Sequence, residues 1–73
     1  MDINAEDQPI VEARANLSKL HNAVGLLRRV YFLTSRGTRE AALVPVDLGE
    51  LVQQVGGVDL AAAILKAHLD ATA

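Results

Sequence analysis

Leu33-Thr34-Ser35-Arg36-Gly37-Thr38-Arg39-Glu40-Ala41-Ala42-Leu43-Val44-Pro45-Val46 is the stretch that decides the fold class of this chain. Its first residues continue Val30-Tyr31-Phe32, a β-branched and aromatic run too short for a helix to be preferred. Residues 35–39 are polar and contain Gly37, which is free to take positive φ in a turn. Residues 41–46 are apolar again and read as a second strand. Two apolar strands around a short Gly-containing turn predict an antiparallel hairpin. Pro45 has no amide to donate and marks a strand end or an edge.

Upstream of the hairpin, apolar side chains fall at Ala13, Leu17, Leu20 and Val24, intervals of four, three and four residues that draw one helical stripe. Arg14, Ser18 and Asn22 occupy the other face, and Gly25 places the helix end at residues 25–27. Pro9-Ile10-Val11 is expected to be extended, because Pro9 restricts the residue before it, and residues 1–8 are expected to fray. Downstream, Asp47 is a candidate N-cap for a short helix through residue 54, with Glu50 in capping-box position. Gly56-Gly57 breaks that helix. Asp59 is expected to cap a last helix over residues 60–72, whose apolar face carries Leu60, Ala63, Ile64, Ala67 and Ala71 with Leu65 and Leu69 beside it. The expected fold class is therefore α+β, a helix and hairpin sheet followed by C-terminal helices. Residues 1–55 form one unit and 56–73 a helical segment.

Charge is laid out in three blocks. Asp2, Glu6, Asp7 and Glu12 make residues 1–13 carry −4. Arg14, Lys19, Arg28, Arg29, Arg36 and Arg39 make residues 14–39 carry +6, with no acid among them. Residues 40–73 carry −4, from Glu40, Asp47, Glu50, Asp59 and Asp70 against Lys66, and the chain totals −2. A basic centre between acidic flanks reads either as a patch for a polyanion or as a solvated face that binds nothing.

With 73 residues, one small core supplies roughly 3–5 kcal/mol, so such a chain usually needs a staple. Cysteine is absent, which excludes disulfides and thiolate metal sites, and His21 and His68 are too sparse for a zinc cage. No cofactor or metal is expected. Oligomerisation is the remaining staple, and 51% hydrophobic residues suits it. Apolar runs such as residues 30–33 and 41–46 fall far short of the roughly 20 residues of a membrane span. The acidic N-terminus is unlike a signal peptide, so the expectation is a cytoplasmic protein. Nothing points to an enzyme: no serine or threonine has a base at a recognisable spacing, and capping explains Asp47 and Glu50. Gly56-Gly57 lacks the flanking pattern of a phosphate loop.

Helix, strand, Arg-Gly turn, strand and helix follow one another in an order that carries a resemblance. Residues 12–20, Glu-Ala-Arg-Ala-Asn-Leu-Ser-Lys-Leu, resemble the opening helix of the Phd/YefM (prevent-host-death) antitoxin family, and residues 33–46 resemble its hairpin. The likeness covers residues 9–50. It implies a bacterial antitoxin of a type II toxin–antitoxin system that dimerises, binds operator DNA as an autorepressor, and neutralises a cognate toxin through its C-terminal region. Such toxins are often RelE/YoeB-type ribonucleases or Doc-type enzymes, and dimers or tetramers are both compatible. Arg14 matches the arginine of the family's Glu-Ala-Arg motif, and Arg36 and Gly37 match its turn. Ser35, Thr38 and Arg39 depart from the family's turn residues, Val11 stands where a Ser or Thr cap is usual, and Gly25-Leu26-Leu27-Arg28-Arg29 replaces the family's Gly-Glu-Pro linker.

Arginine's planar fork suits phosphate or guanine edges. On this reading Arg14, near a helix start, and Arg36 make base or groove contacts, while Lys19, Arg28, Arg29 and Arg39 contact phosphate. Leu17, Leu20, Val24, Tyr31, Phe32 and Leu43 form the core or dimer interface. His21 reads as a packed or exposed neutral side chain. Leu60, Ile64, Leu65 and Leu69 either enter a toxin groove or pack within a homo-oligomer, and His68 reads as a packed or exposed side chain or as a toxin contact. Two alternatives stand beside the antitoxin: a stand-alone regulator of the same fold without a toxin, and an oligomerisation module that does not bind DNA.

Overall fold

A computed structural model describes residues 4–72 as a three-stranded sheet and four helices. In chain order these are β1 (Asp7–Pro9), α1 (Ile10–Ala15), α2 (Leu17–Leu27), β2 (Tyr31–Ser35), β3 (Thr38–Leu43), α3 (Val46–Gln54) and α4 (Val58–Thr72). The fold is mixed α+β.

The hairpin forms where the apolar pattern places it, with a tighter turn. Ser35 pairs with Thr38, so the loop is Arg36-Gly37 alone. A two-residue hairpin loop matches the strand twist when both residues take positive φ, and Arg36 has φ 53° and Gly37 φ 79°. β3 therefore starts three residues before the expected position and ends at Leu43. The register runs Tyr31 to Leu43, Phe32 to Ala42 and Leu33 to Ala41, then shifts so that Thr34 faces Arg39. Glu40 falls between the pairs, as one extra residue in a bulge does.

β1 corrects the expectation of fraying. Residues 1–3 lie outside the described residues, but Asp7–Pro9 pairs in parallel with β2, Asp7 to Phe32, Gln8 to Leu33 and Pro9 to Thr34. The Phe32 amide donates to the Glu6 carbonyl at 2.8 Å, and Gln8, only 1% exposed, donates from Nε2 to the Ala5 carbonyl at 2.7 Å. A buried amide so satisfied stabilises rather than disrupts. Ile10 and Val11 are helical, not extended: only Pro9 keeps extended angles, at φ −56° and ψ 138°, as the cap residue of α1.

The first helix is divided at Asn16. The Asn16 amide donates to the carbonyls of Glu12 and Ala13, and its side-chain Nδ2 donates to Glu12 as well, at 3.0 Å. A short amide side chain that competes for helix carbonyls ends a helix. The Asn16 carbonyl then accepts from Leu20 and opens α2. Together α1 and α2 form the crossover that a parallel strand pair requires.

The core comprises Ala13, Leu20, Ala23, Val24 and Tyr31, with Leu33 and Leu43 packed against it. Leu20 and Tyr31 are fully buried. Leu17, expected on the same stripe, is 56% exposed, because the break at Asn16 separates it from α1's buried face. Phe32 and Leu43 are half-buried.

The C-terminal helices also differ in their starts. α3 begins at Val46 with Pro45 in the cap position, so Asp47 lies inside its first turn and not at the cap. α4 begins at Val58, so Asp59 is likewise within the helix. Both aspartates still face the favourable end of the helix dipole. Gly56, at φ 116°, turns the chain, and a Cβ there would meet Leu60 Cδ2 at 3.0 Å. The axes of α3 and α4 differ by 99°. α3 buries no residue and α4 buries Ala61 alone. The radius of gyration, 13.7 Å, exceeds the roughly 11 Å of a fully compact chain of this length. No single helix among the described residues is long and apolar enough to cross a membrane.

Candidate nucleic-acid interface

The six basic residues of the central block do not share one surface. Tyr31–Ser35 spans about 13 Å, at roughly 3.3 Å per residue. Arg28 and Arg29 precede its first residue, while Arg36 follows its last, so they stand at opposite ends of β2.

At the turn end, Pro9 of β1 pairs with Thr34, and α1 starts at the next residue, Ile10. Arg14 is four residues along that helix, about one turn, and Arg36 is two residues past Thr34. Both are exposed, and neither has a hydrogen bond or ion pair among the described residues. Arg14 occupies the last turn of the six-residue α1, contrary to its expected place near a helix N-terminus. Free helix amides belong instead to α2, whose first turn holds Leu17, Ser18 and the exposed Lys19 and carries no acid.

At the other end, acidic and amide groups from the flanks occupy the cations. Arg28 closes α2 in the left-handed region, φ 59°, and meets Asp47 fork to fork: Nη1 donates to Oδ1 and Nη2 to Oδ2, both at 2.8 Å. These bonds and the nearby positive charge hold the Asp47 carboxyl below the usual carboxylate range, and Asp47 in turn raises the guanidinium. Arg29 donates from Nη1 to Asn4 Oδ1 at 3.2 Å and from Nη2 to the Asn4 carbonyl at 3.0 Å, with its guanidinium 5.3 Å from the Tyr31 ring centre. Arg39 is engaged as well, although its backbone faces Thr34 toward the turn end: it is bound to Asp7, 2.7 Å away at Nη2, and lies 3.8 Å over the Phe32 ring.

Arg28 and Arg36 are the non-glycine residues with positive φ among the described residues. Left-handed backbone costs an L-residue roughly 1–2 kcal/mol, and arginine has no local bond to offset it. The residue pattern points to positive φ at Gly37 but at neither arginine. The tight spacing of strand and turn around Arg36 was the available signal; Arg28 had none.

The C-terminal side chains divide similarly. Ile64 and Leu65 line an apolar groove of about 140 Å³ with Leu48, Leu51, Val55 and Ala61. Leu60, His68 and Leu69 are exposed outside that lining. A second apolar hollow, about 500 Å³, lies between α2 and the end of β3, where Leu17 and His21 meet Leu43, Val44 and Val46. Among the described residues no group of three or more His, Asp or Glu side chains is placed to hold a metal ion.

Comparison with protein-family models, curated proteins and solved structures found no match to this chain.

Proposed function

We propose that this chain is a Phd/YefM-like antitoxin: a dimer that binds operator DNA as an autorepressor and neutralises a cognate toxin through its C-terminal helices. The observation that carries the reading is the end of the sheet where α1 and the Arg36-Gly37 turn begin side by side, with Arg14 and Arg36 exposed and unengaged. The motif residues of the resemblance are among those exposed there. Lys19 beside the free amides of α2 adds a phosphate contact of the kind helix N-termini make. Arg36 holds a strained backbone that a glycine or asparagine would relieve, and strain of this kind clusters at functional sites.

The test is binding of the fragment upstream of the gene across a salt series. Log affinity is expected to fall with log salt by about 0.9 per neutralised phosphate. Arg14→Ala and Arg36→Ala are expected to lose sequence preference. Failure of the wild-type protein to bind at low salt overturns the reading. Toxin neutralisation is tested separately, by co-purification with the product of the adjacent gene and rescue of growth. An oligomerisation module without DNA binding is favoured instead by the apolar side chains exposed on α3 and α4, Leu51, Val58, Leu60 and Leu69 among them. Concentration-dependent assembly without DNA binding would select it.

A further inference from the structure

Arg39 is held within the chain by both a carboxylate and an aromatic ring. Its Nε donates to Asp7 Oδ1 at 2.8 Å, its Nη2 reaches the same oxygen at 2.7 Å, and Glu6 Oε2 stands 3.9 Å away. The guanidinium carbon lies over the Phe32 ring, 3.8 Å from its centre. The arrangement is built by the sheet: Asp7 pairs with Phe32 across β1 and β2, and Arg39 faces Thr34 across β2 and β3 because of the bulge at Glu40. Carboxylate and phosphate present similar oxygens to a guanidinium.

We propose that Asp7 is a built-in phosphate surrogate, an autoinhibitory contact that withholds Arg39 from a nucleic-acid backbone. This rests on the reading that the chain binds DNA. A phosphate approaching Arg39 exchanges one charge-assisted bond for another, so the net gain is small, and the nearby acids repel the incoming anion. The side chains of Arg39 and Asp7 are about half exposed, at 50% and 54%, so the exchange requires no unfolding of β1. The acidic flank thereby sets how many cations of the basic centre act on a polyanion.

The experiment measures binding of the full chain to a short random-sequence DNA duplex across a salt series, for wild type, Asp7→Asn, Arg39→Ala and the double variant. Glu12→Gln, which removes the same charge from an acid that pairs with no arginine among the described residues, serves as control. Asp7→Asn is expected to bind more tightly than Glu12→Gln and to steepen the log–log salt slope by about 0.9 for each arginine freed. In the Arg39→Ala background the gain from Asp7→Asn is expected to vanish. Equal gains from Asp7→Asn and Glu12→Gln, or an Asp7→Asn gain that persists without Arg39, overturn the surrogate while leaving DNA binding intact. Absence of binding by every variant at low salt overturns the DNA reading and the surrogate with it.

Discussion

Arg28 and Asp47, 19 residues apart in sequence, meet in a parallel fork at 2.8 Å on both arms and tie the end of α2 to the first turn of α3. The pair joins the basic centre to the acidic C-terminal flank. Both side chains are largely exposed, at 62% and 57%, so the link is screened by salt and is a positioning contact more than a source of stability.

Acid is expected to open this link. Asp47 is held below its ordinary range in the folded chain, so its contribution is present at neutral pH and is lost as pH falls through that lowered value. Carboxyl NMR titration is expected to show Asp47 titrating below the ordinary carboxylate range in wild type and returning toward it in Arg28→Ala. A carboxyl that titrates alike in both proteins contradicts the pairing.

Arg36→Asn is expected to stabilise the fold while weakening DNA binding. Asparagine tolerates the left-handed φ of 53° far better than arginine, and relief of about 1 kcal/mol is expected in urea unfolding. Lower stability in the variant would mean that the turn is not strained at this residue.

Leu20 and Leu17 lie on one face of α2 but have different surroundings. Leu20→Ala, at a fully buried site, is expected to cost about 2–5 kcal/mol in chemical unfolding. Leu17→Ala, 56% exposed beside the hollow between α2 and β3, is expected to leave the dilute monomer unchanged and, if the proposed dimer buries this hollow, to lower Tm only at high protein concentration. A Tm loss independent of concentration would place Leu17 in the core instead.

Under the proposed DNA-binding reading, Arg29 is expected to be a structural cation and not a DNA contact. It joins Asn4 to the ring of Tyr31, so Arg29→Ala is expected to lower Tm and to loosen the segment before β1, seen as faster amide exchange at Phe32. Its salt slope for DNA is expected to stay near that of wild type. A slope shallower by as much as that of Arg36→Ala would return Arg29 to the phosphate-contacting set.

Local patterning was sufficient for the hairpin, α2, the break at Gly56-Gly57 and the last helix. Each depends on side-chain periodicity or on glycine within a few residues, which is short-range chemistry. β1 was illegible because Asp7-Gln8-Pro9 has neither length nor alternation, and its parallel pairing with Phe32–Thr34 is a long-range event. The helix break at Asn16 was missed because the apolar stripe passes through it, whereas one side-chain amide decides it.

The sequence by itself determined the element order of the hairpin and helices and the inventory of charge, a basic centre between two acidic flanks. Only the tertiary structure decided how those blocks meet. Sheet register brings Asp7 to Arg39 across 32 residues, and the turn after β3 brings Asp47 to Arg28, while Arg14, Lys19 and Arg36 stay unengaged among the described residues. Propensity acts within a helical turn or a strand pair, but an ion pair at 2.8 Å exists only where the fold has placed both partners. The same positive charges therefore become either internal ties or free contacts according to where the chain returns.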